Sequence, residues 1–235
     1  MGISQNLWRR GKMDLSKSFE FFDPKMCGHR IHIIGCGAVG STVAELLVRA
    51  GITKISLYDS DIVEPHNIAN QIYTEQDINI EKTHALQSNL LRINPDLSNE
   101  IELHENWSQS TSLFGYVFLC VDNIELRREI VSSNRFNPSI KAFFDFRIRL
   151  TDAQHYAADT SIPKQVEQLL GTMQFSQEES DKETPVSACN LPLSVAPTVR
   201  VICSLGVANF MNYITRNLLK TMILSDPFNY TLITF

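Results

Sequence analysis

Apolar and polar residues alternate along the chain in a way that predicts short strands separated by amphipathic helices. Residues 30–34 and 54–58 are brief apolar runs, as expected of two strands. Between them, four apolar residues recur at the spacing of one helical face: Val43, Leu46, Leu47 and Ala50. The first part of the chain therefore predicts a strand, a helix and a second strand in succession.

The remaining elements follow from the same periodicities and from polar breaks. Strands are predicted at residues 100–104, 116–121, 140–150, 154–158 and 228–235, and helices at residues 82–94, 122–133, 163–173 and 197–220. The strands at 140–150 and 154–158 flank Thr151 and Asp152 and should form a hairpin. Residues 174–188 are polar and acidic with almost no apolar anchor, so a mobile loop is expected there.

Three glycines lie in the turn between the first strand and the first helix: Gly35, Gly37 and Gly40. Gly35 allows a tight turn, Gly37 lets the backbone approach a phosphate, and Gly40 lets the helix pack closely on the strand. Asp59 follows the second strand, nineteen residues after Gly40, where an acid can bind ribose hydroxyls. This arrangement predicts a nucleotide-binding unit. The alternative is a glycine turn that serves packing alone.

The order of the elements predicts an α/β protein with a Rossmann-like, doubly wound mixed sheet and an antiparallel extension towards its C-terminal end. Residues 1–28 have no clear period and form a predicted N-terminal segment, although Phe19, Phe21 and Phe22 should dock on the main body. Residues 29–235 are predicted to form the single main domain.

The composition narrows the choice of partners and compartment. A formal net charge of -5 and a pI near 5.7 give no general attraction to polyanions, so no nucleic acid partner is expected. Five cysteines include no Cys-x-x-Cys pair, which disfavours structural zinc and disulfides and predicts a reducing, cytoplasmic location. The most apolar long stretch, residues 199–214, contains Arg200 and two asparagines, so no membrane span is expected.

Further motifs follow the glycine turn in a fixed order. They are Ser41 after Gly40, the Asp59-x-Asp61-x-Val63 turn, Asn67 and Gln71, Asp77-Ile78 ahead of Lys82, Asn94-Pro95, Asp122-Asn123 with Arg127, and Cys189 eight residues before Pro197. Together with the glycine turn they resemble the ThiF/MoeB/HesA family of adenylyltransferases, whose fold also forms the adenylation domain of ubiquitin-activating enzymes. The resemblance extends over most of the chain, from about residue 30 to the end of the last predicted helix.

The resemblance implies an enzyme that activates a carboxylate, usually the C-terminal glycine of a ubiquitin-like or sulfur-carrier β-grasp protein. The activated carboxylate attacks the α-phosphate of ATP, and pyrophosphate leaves. By the same resemblance Asp59 binds the ribose, Lys82 and Asn67 approach the phosphates, and Asp122 holds Mg²⁺. A homodimer is implied as well.

Three other residues have roles that are implied by the resemblance only. Asp61 and Gln71 are expected to support the phosphate cluster, and Cys189 to carry a thioester or to take part in sulfur transfer. The alternative for Cys189 is a small buried thiol before a helix.

The phosphate and metal residues also have structural alternatives. Lys82 could be a solvated lysine at the start of a helix, although a cation there opposes the helix dipole. Asp122 and Asn123 could merely cap the next helix, and Asn67 could close an Asx turn.

The chain departs from the family pattern at three points. Asn70 stands where the family has an arginine before Gln71, so a charged phosphate contact is replaced by neutral hydrogen bonding. The paired Cys-x-x-Cys zinc site of many bacterial members is absent. So is the N-terminal Arg-Tyr-x-Arg-Gln stretch, for which Arg9 and Arg10 are the only obvious substitutes.

Two functions therefore remain in competition. The first is an active adenylyltransferase, which the retained Asp59, Lys82 and Asp122 favour. The second is a binding subunit of the same fold that has lost catalysis and pairs with an active partner, which Asn70 favours. A nicotinamide-dependent oxidoreductase would fit the glycine turn but explains neither Asp122 nor the run from Asp59 to Gln71.

Overall fold

The computed structural model describes residues 13–188 and 193–235, which are built around one eight-stranded sheet. The strands are β1 (Ile31–Ile34), β2 (Ile55–Tyr58), β3 (Ile101–His104), β4 (Gly115–Leu119), β5 (Ile140–Ile148), β6 (Ala153–Asp159), β7 (Met222–Asp226) and β8 (Thr231–Thr234). The helices are α1 (Ala38–Arg49), α2 (Lys82–Ile93), α3 (Ile124–Asn134), α4 (Pro163–Gly171), α5 (Gln177–Glu183) and α6 (Ala196–Arg216). Within these residues, no helix combines the length and the apolar character that crossing a bilayer requires.

The sheet combines a parallel core with an antiparallel extension, which confirms the predicted fold class. Its strand order is β3-β2-β1-β4-β5-β6-β7-β8, with parallel pairs from β3 to β5 and antiparallel pairs from β5 to β8. The strand order reverses between β1 and β4, and open α/β sheets bind ligands at the carboxyl ends of strands beside such a reversal. Ile34 pairs with Tyr58 on one side and with Leu119 on the other. The residues that follow these three therefore lie together at one edge.

Helices cover both faces of the sheet, because alternate strand residues point to opposite sides. α1, α2 and α6 bury one face, whose core includes Ile31, Ile33 and Phe118. α3 and α4 bury the other face, whose core includes Ile34 and Leu119. α1 and α3 thus begin at the same edge of the sheet but on opposite faces.

The sequence prediction was incomplete in the last part of the chain. β7 was not predicted, and the helix expected at residues 197–220 ends at Arg216, because Asn217 adopts a left-handed conformation (φ 53°). α5 lies within residues 174–188, where a mobile loop was expected. Ser176 and Glu179 form a reciprocal capping box at its start, which stabilises a helix that lacks apolar anchors.

The N-terminal phenylalanines do not all dock on the sheet. Phe22 is buried, which confirms the expected docking for this residue, whereas Phe19 and Phe21 are exposed. The Phe21 ring still lies 5.6 Å from the guanidinium of Arg216 at the end of α6. The division of the chain into residues 1–28 and 29–235 stays a prediction.

Candidate functional site

The glycine turn joins β1 to α1 at the edge where the strand order reverses. Gly35 has φ +93°, and a Cβ there would lie 2.8 Å from backbone atoms of Cys120 and Val121. A Cβ at Gly40 would lie 1.8 Å from the carbonyl oxygen of Gly35. A Cβ at Gly37, by contrast, would meet no atom of the described residues within 4 Å. Packing thus requires Gly35 and Gly40, whereas the space in front of Gly37 is open.

This open space lies at the N-terminus of α1. Gly37 is the N-cap, and it supplies no side-chain cap to the first N–H groups of the helix. Free N–H groups and the helix dipole together favour an anion at such a position. The glycine turn can therefore bind a phosphate without rearranging any packed group.

Asp59 follows β2 and holds the glycine turn. Its Oδ2 accepts a hydrogen bond from the N–H of Cys36 at 2.7 Å, and its Oδ1 accepts one from the N–H of Asp61 at 2.9 Å. Burial raises the pKa of Asp59 above its usual value, while these two hydrogen bonds act in the opposite direction. Each carboxylate oxygen keeps a further lone pair, with which it can accept a ribose hydroxyl.

Tyr73 is a buried residue that sequence reasoning did not assign to the site. Its hydroxyl donates to the carbonyl oxygen of Cys36 at 2.7 Å, and the carbonyl oxygen of Lys82 lies 3.2 Å away. Burial raises the pKa of Tyr73, so the phenol stays a neutral donor. Tyr73 thus connects the glycine turn to the start of α2. The only signal in the sequence was an aromatic residue in a mainly polar loop.

Lys82 begins α2 and forms an ion pair with Asp61, with Nζ 2.7 Å from Oδ2. The Lys82 residue is only 8% exposed, whereas Asp61 is exposed. A freely solvated lysine, the structural alternative, therefore does not describe this residue. The ammonium group is a partly buried positive charge beside the glycine turn.

Three amide residues in the loop between β2 and α2 were predicted to lie at the nucleotide site. Asn67 is buried, and its Oδ1 accepts from the N–H of Glu64 at 2.9 Å, in a capping box rather than an Asx turn. The Nδ2 of Asn70 donates to the Oγ of Ser194, just before α6. The Oε1 of Gln71 is buried without a hydrogen-bond partner in the part of the chain that the structure describes. A contact of these residues with a nucleotide stays a prediction.

Asp122 follows β4 on the other side of the reversal. Its carboxylate is exposed and forms no hydrogen bond or ion pair with any described residue. Asn123 is the N-cap of α3, and its Oδ1 accepts from the N–H of Leu126 at 2.8 Å. Asn123 therefore caps α3, and the Asp122 carboxylate is left without a partner among the described residues.

Two arginines and one buried carboxylate hold the end of β4. Asp145 in β5 is fully buried and pairs with Arg127 on one side and with Arg147 on the other, where Nη2 lies 2.7 Å from Oδ2. Arg127 also donates to the carbonyl oxygen of Val121, and Arg147 to that of Thr172 at 2.8 Å. Sequence reasoning missed this network. An aspartate inside an apolar strand was the available signal, because a buried carboxylate requires a partner.

The described cysteines have the character of packing residues. Cys27, Cys36, Cys120 and Cys203 are buried, and burial raises the pKa of each thiol. A raised pKa lowers the thiolate fraction and with it the reactivity. Cys189 lies outside the described residues, so its role as a thioester-forming thiol stays a prediction.

The glycine turn and the loop that bears Asp122 lie side by side, because Gly35 contacts the backbone of Val121. Asp59 holds the same turn from the other side. The fold therefore brings an open helix N-terminus and two strand-end carboxylates to one edge. Within the described residues no group of three or more metal-binding side chains occurs.

This fold and this edge define a protein of the E1-like, nucleotide-binding class. The model of the ThiF family matches residues 25–235, so the chain belongs to the ThiF family. Members of this family are usually adenylyltransferases that bind ATP.

The chain is similar to ubiquitin-like modifier-activating enzyme 5 from different animals. The chain is 34% identical to ubiquitin-like modifier-activating enzyme 5 of Mus musculus over 122 residues, which cover 45% of this chain and 30% of that protein. It is 32% identical to the Caenorhabditis briggsae protein over 117 residues, or 43% of this chain and 27% of that protein. The matches thus span less than a third of the length of these relatives.

Solved structures show a similar fold. Escherichia coli MccB with ATP has a TM-score of 0.61 at 17% identity, covering 90% of this chain and 64% of that chain. PaaA has a TM-score of 0.64 at 15% identity, covering 98% of this chain and 77% of that chain. At these identities the likeness shows the fold alone.

Proposed function

We propose that this protein is an ATP-dependent adenylyltransferase that activates the C-terminal carboxylate of a ubiquitin-like or sulfur-carrier protein. The observation that carries the proposal is the open space before Gly37, at an uncapped helix N-terminus between the strand ends that bear Asp59 and Asp122. A triphosphate needs an anion site of this kind, and a ribose needs an acceptor at the adjacent strand end. Membership of the ThiF family supports the same reaction class.

In this reaction a carboxylate oxygen attacks the α-phosphorus of ATP, and pyrophosphate leaves. The task of the protein is to place the two reactants in line and to stabilise the charge of the phosphates. In our proposal the N–H groups at the start of α1 bind phosphate oxygens, Lys82 supplies positive charge, and Asp59 fixes the ribose. Gln71 lies in the loop between β2 and α2, and its Oε1 lacks a partner in the described chain, so it can hydrogen-bond to the nucleotide.

Mg²⁺ fits the surroundings of Asp122. The ion is commonly held by one or two carboxylates together with phosphate oxygens and water, and Asp122 is a carboxylate with no other described partner. The bound ion would neutralise charge on the leaving pyrophosphate. Asp61 is less suitable as a ligand, because Lys82 already pairs with it at 2.7 Å.

The names of the relatives support the class of substrate. The curated relatives are named ubiquitin-like modifier-activating enzymes, and MccB has been crystallised with MccA. We propose a partner with an accessible C-terminal carboxylate. As a following step, the Cys189 thiolate would attack the acyl adenylate, form a thioester and release AMP. A homodimer in the cytoplasm completes the proposal, on the basis of the resemblance and of the cysteine pattern.

A second candidate function is a catalytically impaired subunit that binds a partner of the same fold. The observation in its favour is Asn70, whose side chain contacts Ser194 and supplies no positive charge to the site. Losing a charge-assisted phosphate contact weakens binding by about 1.5 to 3 kcal/mol.

Exchange of labelled pyrophosphate into ATP distinguishes the two candidates. With the cognate carboxylate partner and Mg²⁺, the active enzyme should catalyse exchange, and Asp122→Ala should abolish it without loss of folding. Binding of Mg·ATP without exchange, with every candidate partner ending in Gly-Gly, would favour the impaired subunit. No binding of Mg·ATP to the folded protein would contradict the active enzyme and leave only the partner-binding role of the impaired subunit.

A further inference from the structure

The position of Asp122 is set by its neighbours in the chain, because its own side chain has no described partner. On the N-terminal side, the carbonyl oxygen of Val121 accepts from Arg127. On the C-terminal side, the N–H of Ile124 donates to the Oε1 of Gln177 at 2.9 Å. Gln177 reaches this N–H from α5, 53 residues further along the chain.

The carboxamide of Gln177 is fixed at both ends. Its Nε2 donates to the Oδ1 of Asp181, one turn further along α5, at 2.7 Å. This bond leaves the Oε1 directed at Ile124, so the carboxamide has one orientation. The first N–H of α3 is thus satisfied by α5 rather than by its own N-cap residue.

α5 has little else to hold it in place. No side chain of α5 is buried against the part of the chain that the structure describes. Among the described residues, a further link from within the helix to the body is the exposed ion pair between Glu183 and Arg149 at 2.9 Å. The connection from α4 is bound by Arg128, which donates to the carbonyl oxygen of Met173 at 3.0 Å through Nε. The bond from Gln177 is therefore the direct contact between α5 and the loop that carries Asp122.

We propose that Gln177 is a positioning residue for Asp122, and that docking of α5 on α3 is coupled to binding of Mg²⁺ with the nucleotide. The proposal rests on the proposed function, in which Asp122 holds the metal. When Gln177 is bonded, the start of α3 is fixed and Asp122 is presented at the edge of the sheet. Coupling between two binding events is reciprocal, so Mg·ATP must stabilise the docked α5 by the same factor by which docking improves Mg·ATP binding.

The test compares three variants of the full chain. Gln177→Met keeps the size of the side chain but removes the acceptor. The double change Gln177→Glu with Asp181→Asn exchanges the two groups, so that both hydrogen bonds and the net charge are retained. Glu178→Gln is the matched control, since Glu178 pairs with Lys182 at 2.7 Å on the exposed side of the same helix.

Calorimetry should distinguish a positioning role of Gln177 from a general disturbance of the nucleotide site. Gln177→Met should bind Mg·ATP about three- to tenfold more weakly than the unaltered chain, as expected for one lost hydrogen bond. It should bind ATP in excess EDTA equally well, because only the metal depends on Asp122. The double variant should recover most of the loss, and Glu178→Gln should show none. Equal binding of Mg·ATP by Gln177→Met, or an equal loss with and without metal, would overturn the proposal.

Hydrogen exchange supplies a second readout. The amide of Ile124 should exchange faster in Gln177→Met than in the unaltered chain, and Mg·ATP should slow exchange throughout α5 of the unaltered chain only. If the unaltered chain binds Mg·ATP and α5 exchange does not change, the coupling is wrong while the proposed function stands. If the unaltered chain binds no Mg·ATP, the proposed function fails and the coupling fails with it.

Discussion

The two sides of the candidate nucleotide site are built in different ways. On the side of β1 and β2, Asp59 and Tyr73 both bond the backbone of Cys36 in the glycine turn. On the side of β4, Asp122 makes no described bond, and its neighbours are held by Arg127 and Gln177. The β1–β2 side, proposed to bind the phosphates, is therefore a packed turn. The β4 side, proposed to bind the metal, presents a carboxylate that has no described partner, on a loop held through its neighbours by Arg127 and Gln177.

Glycine-to-alanine changes test the packed side, and the largest effect is expected there. Gly40→Ala should destabilise the fold by about 3 kcal/mol or more, because its Cβ would lie 1.8 Å from a backbone oxygen. Gly37→Ala should cost less than about 1 kcal/mol, since a Cβ there meets nothing within 4 Å, yet it should weaken ATP binding by occupying the open space. Urea unfolding and calorimetry measure the two effects. A stable Gly40→Ala, or a Gly37→Ala that binds ATP normally, would contradict this division.

Loss of charge should affect folding stability at only one of the two strand-end aspartates. Asp122→Asn should lower pyrophosphate exchange on the order of 10²-fold or more while changing the free energy of unfolding by less than about 0.5 kcal/mol. Asp59→Asn should lose about 1 to 3 kcal/mol of stability as well as nucleotide affinity, since both of its oxygens accept backbone N–H groups. Exchange assays and urea unfolding on both variants make the comparison. If Asp122→Asn unfolds as readily as Asp59→Asn, Asp122 has a structural role that its exposed carboxylate does not indicate.

The contrast between the two sides also explains what could be predicted from the sequence. The β1 turn, α1 and Asp59 lie within thirty residues, so periodicity and glycine spacing were sufficient to place them. The position of Asp122 after a strand was predicted too, but not the bond from Gln177, because a contact over 53 residues leaves no local pattern.

Two errors in the predicted secondary structure, at α6 and at α5, have related physical causes. The predicted end of α6 was too late because Leu218 and Leu219 continue the apolar pattern, while the left-handed Asn217 ends the helix. α5 was taken for a mobile loop because it has no apolar face, although Ser176 and Glu179 stand at the spacing of a capping box. Apolar periodicity reports burial, so it fails for a helix that only polar groups stabilise.

The smallest expected effect on stability at neutral pH comes from two buried histidines: His32, near the β1–β2 side of the site, and His155, near the β4 side. The Nδ1 of His32 in β1 lies 2.9 Å from the hydroxyl of Tyr58, next to Asp59, and the Nδ1 of His155 in β6 lies 3.1 Å from the carbonyl oxygen of Asp145. Burial lowers the pKa of both from 6.5 to about 4. As the pH falls below 6.5 the unfolded chain therefore binds protons first. The stabilisation is complete above pH 6.5 and is lost as the pH falls towards 4.

Each histidine should thus add about 1.4 kcal/mol per pH unit to the acid dependence of the free energy of unfolding. His32→Gln and His155→Gln should each remove one such contribution. Urea unfolding between pH 7 and pH 5 measures the slopes. His32 and His155 have no common partner among the described residues. The pH dependence lost in the double variant should therefore equal the sum of the losses in the two single variants. A double variant that loses clearly more or less than the sum would show that the β1–β2 side and the β4 side are one cooperative unit rather than two.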